Sequence, residues 1–438
     1  MRAGIIGLGY VGLTLAIAAA DSDIEVYGIE TNPYIRECLE NKHAHFFEPG
    51  LDELIARHTG DNFDYGEHFP EELRFDLFII TVGTPLNPGE KTPNFTYIQS
   101  ALDAIRQVYT GNELVVLRST VSVGTTRNVV LPYLSRLCGR PEDDLMVSMC
   151  PERTVEGKAV EELRHLPQII SGNTPLALRI ARDFFGRITS EIIPTASLEE
   201  AELVKLYCNT FRDMAFAIGN AFCLAAQAFG VDGVSVIRHA NEGYARANIA
   251  LPGFVAGPCL EKDAYILASN LPDCASKELI LSSRKLNESL EDVVVQWVCK
   301  RIGTPTPDKI VVLSGMAFKG RPETSDLRGS SSVYIGRKLR NLGYGLRLHD
   351  YVAHRSELEA LQLGEVCEDL PCACEGAALL LILNNHKNYE ALFENIPVSG
   401  VEAGFAVLDA WDICDRAHSK NNAEIVTIGN LLMDRTEA

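Results

Sequence analysis

Apolar residues along this chain alternate between short continuous runs and longer stretches at helical spacing. Residues 3–6 read as a short buried strand, Gly7–Gly12 as a turn and Leu13–Ala20 as a helix. Ile24–Ile29 is a second strand, ending at Glu30. Leu77–Val82 runs into Gly83-Thr84-Pro85, Leu114–Leu117 into Arg118-Ser119-Thr120, and Leu145–Met149 into Cys150-Pro151-Glu152. Strands that end in turn residues and alternate with helices predict a mostly parallel, doubly wound sheet to about residue 195.

The pattern changes at Ser197. Glu199–Phe229 carries apolar residues at helical spacing, with no proline and only Gly219 inside, and predicts one long helix at an interdomain or subunit interface. Gly243–Asp263 reads as a loop rich in Gly and Pro, and Ala264–Glu288 and Leu290–Arg301 as helices. After a break at Gly303–Asp308, a second α/β unit begins. Lys309–Ser314 is a strand followed by Gly315-Met316-Ala317-Phe318-Lys319, Leu346–His349 ends at Asp350, and Ala377–Leu383 and Val407–Ala410 are further strands. This second unit has its own switch point, and the chain has neither tandem short repeats nor a low-complexity tail.

At 438 residues the chain is too long for one core, which implies two or three domains. The net charge of −19 argues against nucleic acid or an acidic membrane surface as partner. Anionic ligands can still bind at helix N-termini. The twelve cysteines are scattered, without C-x-x-C or zinc spacing, so no metal is expected and most read as small buried residues in a reducing cytosol. Residues 2–20 imitate a secretion signal, but Gly7, Gly9 and Gly12 sit where a strand–turn–helix needs them, so a cytoplasmic location is expected. No apolar run is long enough to span a bilayer.

Two segments carry the candidate chemistry. Gly7-x-Gly9-x-x-Gly12 follows a strand and opens a helix, and Glu30 stands at a strand end 18 residues later. Glycines let backbone N–H groups approach a pyrophosphate, and the acid holds a ribose hydroxyl, favouring NAD over NADP. The plainer alternative is a tight turn that binds nothing. In Gly257-Pro258-Cys259-Leu260-Glu261-Lys262-Asp263 a thiol is followed by a cation and a carboxylate. A nearby cation favours the thiolate. Cys259 alone reads equally as packing, but Lys262 and Asp263 tip the balance toward a reactive thiol. A thiolate beside NAD suggests aldehyde oxidation through a thiohemiacetal and a thioester.

Other positions are weaker. Lys205 and Asn209 share a helix face and would stabilise an oxyanion if buried, although spacing alone favours an exposed lysine. Glu152 or Glu156 would serve as a general base, or both are solvated acids, one of them paired with Arg153. Thr120 ends a strand where α/β sites form, or caps a helix.

In chain order, Gly-Leu-Gly-Tyr-Val-Gly-Leu at 7–13, Glu-Pro-Gly-Leu at 48–51, Val-Gly-Thr-Pro at 82–85, Ser-Thr at 119–120 and Pro-Glu-Arg at 151–153 are followed by Val-Lys-Leu with Asn-Thr at 204–210. Cys-Leu-x-Lys-Asp at 259–263, Gly-Met-Ala-Phe-Lys-Gly at 315–320 and Ser-Asp-Leu-Arg at 325–328 complete the set. The ordered set resembles the UDP-glucose/GDP-mannose dehydrogenase family, the nucleotide-sugar 6-dehydrogenases. That resemblance implies two Rossmann-like doubly wound domains joined by a long central helix and a helical dimerisation region. It places an NAD-binding domain at 1–196, a central domain with the cysteine loop at 197–302 and a UDP-binding domain at 303–438. It further implies a homodimer acting on a UDP-sugar, with NAD as cofactor, and four-electron oxidation of C6 to a uronate through Cys259.

Carried onto matching positions, the resemblance gives Lys205 and Asn209 to the oxyanion, Asp263 and Thr120 to water, and Glu152 to thioester hydrolysis. NAD would meet Gly7, Gly9, Tyr10, Val11, Gly12, Glu30, Thr84, Pro85, Ser119, Thr120 and Lys262. The nucleotide-sugar would meet Glu152, Arg153, Glu156, Lys205, Asn209, Gly257, Phe318, Lys319 and Arg328, with Arg246 reaching across the dimer. Three departures stand out: Val255-Ala256 in the loop before the cysteine, Trp411 where the family often has an arginine, and Glu30 where many members have Asp. The forms at 151–153 and 246–253 favour a UDP-N-acetylhexosamine, whereas the Cys-Leu-x-Lys-Asp form is closer to UDP-glucose enzymes; GDP-mannose is a further substrate alternative. A non-catalytic nucleotide-sugar-binding protein and a 3-hydroxyacid-type dehydrogenase are the readings of other classes.

Overall fold

The computed structural model describes residues 1–87, 89–392, 401, 404–414 and 424–433. The chain forms two compact units, one of Met1–Asn209 with Tyr265–Pro272, the other of Thr210–Ala264 with the chain from Asp273 onward.

The first unit holds a parallel six-stranded sheet of β1 (Arg2–Ile6), β2 (Glu25–Ile29), β3 (Phe63–Gly66), β4 (Leu77–Ile80), β5 (Leu114–Leu117) and β6 (Met146–Met149), in the order β3-β2-β1-β4-β5-β6. β4 and β5 are buried at every position. Parallel sheets covered on both faces require such continuous apolar runs. The order reverses between β1 and β4, so ligands are expected beyond the carboxyl ends of those strands. A separate parallel pair joins β7 (Gln168–Ile170) to β8 (Ile192–Pro194).

The second unit repeats the plan with β9 (Ile310–Ser314), β10 (Gly345–His349), β11 (Glu365–Val366), β12 (Ala377–Ile382), β13 (Ala406–Asp409) and β14 (Glu424–Thr427), in the order β11-β10-β9-β12-β13-β14. Its core packs Val311, Leu313, Leu379, Leu381 and Leu408 against Leu290, Val294 and Val298 of the helix Ala275–Ile302.

The long helix is Leu198–Ala228, and its pattern is inverted. Glu202, Lys205, Asn209, Asp213, Asn220 and Gln227 recur on one face and are buried, whereas Tyr207, Phe211, Ile218 and Phe222 on the opposite face are exposed.

Two expectations fail here. The loop predicted to reach Asp263 ends at Cys259, and a helix, Leu260–Ser269, begins immediately after it. The break expected at Ser289 lies instead before Ala275, in the stretch holding Pro272, which lacks an N–H to continue a helix. Ser289 sits inside the helix with its hydroxyl bonded back to Leu286 O at 2.7 Å. Among the described residues no helix is long and apolar enough to cross a membrane.

Candidate active site

The glycine turn after β1 is shaped by close approach. A Cβ at Gly12 would stand 1.8 Å from Gly7 O. Thr81 Oγ1 donates to Gly7 O at 2.7 Å and fixes the turn from β4. The helix Tyr10–Ala20 starts from Gly9 with no side chain capping its first amides, which leaves them for an anion. Glu30 is buried at the end of β2, accepting from Leu8 N at 2.9 Å and Asn32 N at 2.8 Å. This cradle of uncapped amides beside a carboxylate fits a dinucleotide. Thr84 Oγ1 donates to Thr120 O at 2.5 Å and Ser119 Oγ to Val82 O at 2.7 Å, so these residues tie the ends of β4 and β5 together. Thr120 precedes the helical segment that starts at 125 and is not its cap. Val11 is half-buried and Pro85 exposed.

Glu152 and Lys205 are both buried, so neither is the solvated surface group that spacing alone favours. Glu152 pairs with Arg118 and not with Arg153: Arg118 Nε donates to Oε2 at 3.1 Å, and Nη2 also reaches it. Oε1 accepts from Arg153 N at 2.6 Å and Thr154 N at 2.7 Å. Burial alone would raise the Glu152 pKa, but Arg118, the Thr154 N–H and Lys205 together hold it below the usual carboxylate range. Glu152 is therefore a fixed anion. Asn209 is buried one turn beyond Lys205 on the same face. The Arg153 guanidinium bonds Pro167 O, and Glu156 lies close enough to Tyr10 to act on its hydroxyl electrostatically.

The Glu-Pro-Gly-Leu segment acquires a role that its sequence did not signal. Glu48 accepts from the Tyr10 hydroxyl and from Gly157 N at 2.7 Å, and Gly157 N also reaches Tyr10 Oη at 3.0 Å. Glu48 thus links the glycine-turn helix to the loop after Glu152.

In the second unit, Cys259 is exposed and its carbonyl accepts from Asp263 N at 3.0 Å, so it stands at the N-terminal end of the helix Leu260–Ser269. A helix N-terminus and a cation both stabilise a thiolate. Lys262 Nζ bonds Asp263 Oδ1 at 2.8 Å, which excludes the solvated lysine. Burial pulls the Lys262 pKa down, but Asp263, Cys259 and Glu261 outweigh it, and the ammonium is firmly charged. Gly257 has φ +94°, and a Cβ there would stand 2.6 Å from the Phe318 ring. Lys319 Nζ lies 5.4 Å from that ring's centroid. Arg328 is exposed and bound to Asp326 at 2.7 Å, and Arg246 is exposed over the Tyr244 ring. Among the described residues no cluster of His, Cys, Asp and Glu could hold a metal ion.

The sequence matches the NAD-binding domain of the UDP-glucose/GDP-mannose dehydrogenase family over residues 1–189, its central domain over 199–289 and its UDP-binding domain over 312–416. The chain belongs to that family. It is an NAD-dependent nucleotide-sugar dehydrogenase with two doubly wound parallel sheets. A UDP-N-acetyl-D-mannosamine dehydrogenase of Campylobacter jejuni is 34% identical over 349 residues, which cover 76% of this chain and 82% of that one. An NDP-N-acetyl-D-galactosaminuronic acid dehydrogenase of Ralstonia solanacearum is 28% identical over 401 residues, covering 89% and 91%. The solved structure of the UDP-D-ManNAc dehydrogenase from Pyrococcus horikoshii superposes with a TM-score of 0.84 at 28% identity, over 98% of this chain and 99% of that one.

Proposed function

We propose that this dehydrogenase oxidises C6 of a UDP-N-acetylhexosamine to the uronate in two steps through Cys259. The observation that carries the reading is the placement of Cys259 at a helix N-terminus, three residues before a half-buried, charged lysine. The glycine turn and Glu30 would hold NAD, which when bound would supply the hydride acceptor for each oxidation. The C6 alcohol loses a hydride and a proton to become an aldehyde. The Cys259 thiolate adds to it, with Lys205 and Asn209 donating to the oxyanion. Loss of the second hydride leaves a thioester, and water held by Thr120 and Asp263 cleaves it, releasing the uronate and the thiol. Glu152, held ionised, accepts a hydrogen bond from that water and orients it. Phe318, Lys319 and Arg328 take the nucleotide-sugar.

The named relatives support the N-acetylhexosamine; the Cys-Leu-x-Lys-Asp form keeps UDP-glucose as second choice. The division at 1–196, 197–302 and 303–438 remains our working domain scheme. Twelve free cysteines fit a cytoplasmic enzyme. The exposed stripe of Tyr207, Phe211, Ile218 and Phe222 supports a homodimer built on the long helix, with Arg246 serving the partner's site.

NADH formed per mole of limiting nucleotide-sugar tests the chemistry, across UDP-GlcNAc, UDP-ManNAc, UDP-GalNAc, UDP-glucose and GDP-mannose. A ratio near two with an N-acetylhexosamine is expected. A ratio near one with a stable aldehyde or ketone product would sink the mechanism, and NAD binding without any NADH would favour a non-catalytic binding protein.

A further inference from the structure

The segment around Cys259 is held by a buried polar cluster that this chemistry does not use. Asp213 and Asn220 come from the long helix and Arg284 and Asn287 from the helix Ala275–Ile302, and none of the four is more than 2% exposed. Arg284 Nη1 donates to Asp213 Oδ1 at 2.7 Å and to Leu260 O at 3.2 Å, while Nη2 donates to Val255 O at 3.2 Å. One guanidinium therefore grips the backbone on both sides of Cys259. Asn287 Nδ2 donates to Asp213 Oδ1 at 2.9 Å, and Asn287 Oδ1 accepts from Asn220 Nδ2 at 2.9 Å. Asn220 in turn exchanges two bonds with Gly253, accepting from its N–H at 2.9 Å and donating to its carbonyl at 3.1 Å. The Trp411 ring covers Gly253, where a Cβ would stand 2.8 Å from the indole, and Gly257 N donates to Gly329 O at 2.9 Å. Trp411, one departure from the family pattern, thus packs against the loop that carries another.

A buried ion pair is a weak source of stability, because desolvation offsets most of the attraction and apolar replacements are often neutral or better. Two of the four, Arg284 and Asn220, reach the carbonyls of Gly253, Val255 and Leu260, and Asp213 and Asn287 hold those two in place, which points instead to geometry. We propose that Asp213, Arg284, Asn287 and Asn220 are positioning residues that hold the Cys259 thiol at the N-terminus of its helix. They touch no reacting atom and act only through the loop. Displacements of about 1 Å are enough to slow a reaction about 100-fold.

The test is the rate of Cys259 alkylation by iodoacetamide against pH, read by mass spectrometry of the Cys259 peptide without substrate or NAD. It compares wild type with Arg284→Lys and Asn220→Ala. Within this unit the charges that bear on the first turn are Glu261, Lys262 and Asp263 from its own helix, Arg284 and Glu288 from the neighbouring helix, and Asp326. Both variants are expected to shift the alkylation profile and to lower kcat about 10–100-fold, with KM within about threefold. Arg284→Lys keeps a cation beside Asp213, so Tm stays near wild type, but one ammonium cannot span two carbonyls as the planar fork does. A lysine variant that restores Tm, alkylation profile and kcat together would reduce the cluster to a structural role and overturn the proposal. If Arg284→Lys does not fold, an unchanged profile in Asn220→Ala overturns it. The proposal rests on the thiol mechanism, yet fails separately from it: altered alkylation in variants of an enzyme that yields one NADH per sugar would sink the mechanism and leave the positioning intact.

Discussion

The two six-stranded sheets share one strand order and brace their first turns alike, but open them differently. The glycine after the first strand donates to the last residue of the second: Gly7 to Ile29 O at 2.8 Å, Gly315 to His349 O at 3.0 Å. The next residue along the second strand is an acid that braces that turn. Glu30 accepts from Leu8 N and Asn32 N; Asp350 accepts from Ala317 N, Val352 N and Ala353 N. After that the sheets part. The first turn passes at once into the helix Tyr10–Ala20, whereas the second runs through residues 316–330 before the helix Ser331–Leu342. An acid at this position is therefore explained by bracing alone and does not by itself mark a ribose site. What sets the first turn apart is the helix N-terminus standing against it, the feature that suits a pyrophosphate. The longer second turn gives room for ligand-binding side chains such as Lys319.

The strongest way to break that division of labour is to damage each turn in turn. Gly12→Val forces a side chain against Gly7 O, strain of about 1–3 kcal/mol or more at the pyrophosphate cradle. NAD should bind at least about tenfold more weakly in calorimetry, with UDP affinity within about twofold. Lys319→Ala should do the reverse, weakening UDP about 10–100-fold through loss of a charged hydrogen bond and leaving NAD unchanged. Either variant weakening both ligands equally would refute separate sites.

A smaller effect separates the two acids. Glu30→Ala removes both a brace and a ribose partner, so NAD affinity should fall about tenfold and discrimination against NADP should shrink. Asp350→Ala removes only a brace. It should lower stability by about 1–3 kcal/mol in denaturant titration, with UDP affinity nearly constant. Equal losses of ligand affinity in the two variants would show that Asp350 is a ligand residue as well.

Much of this was legible because buried parallel strands must be continuously apolar: β1, β4, β5, β9 and β12 announced themselves. The edge strand β3, Phe-Asp-Tyr-Gly, did not, since only one of its positions is buried. The helix behind Cys259 begins earlier than its sequence suggests, because Gly-Pro signals run up to it and its first turn, Leu-Glu-Lys-Asp, carries little apolar periodicity. Glu152 is legible after its strand, whereas its partner Arg118 reads only as a turn residue. Asp213 and Arg284 lie 71 residues apart, and no local pattern joins them. Their only signal was polar residues recurring at Lys205, Asn209, Asp213 and Asn220, on the face of a long helix that ought to have been apolar.

The subtlest contrast is between two carboxylates. Glu152 in the first unit is held below the usual range, because Arg118, the Thr154 N–H and Lys205 outweigh its burial. Glu291 in the second unit is pushed up to about 7, chiefly by burial, with only partial relief from a Ser331 hydrogen bond and Arg284. Their contributions to stability must therefore run in opposite directions. A depressed pKa gives stability that is present above the unfolded value of about 4.3 and is lost as pH falls through the folded one. A raised pKa gives stability that is complete below the unfolded value and is lost as pH rises through about 7. Both tryptophans, Trp297 and Trp411, lie in the second unit, so their fluorescence reports that unit's unfolding. The tryptophan-detected Tm should fall as pH rises from about 6 to about 8, and Glu291→Gln should flatten that limb. Glu152→Gln should leave it unchanged and instead soften the loss of helical circular dichroism below about pH 4. If Glu291→Gln leaves the alkaline limb as steep as in wild type, the carboxylate is solvated at neutral pH and the contrast between the two units disappears.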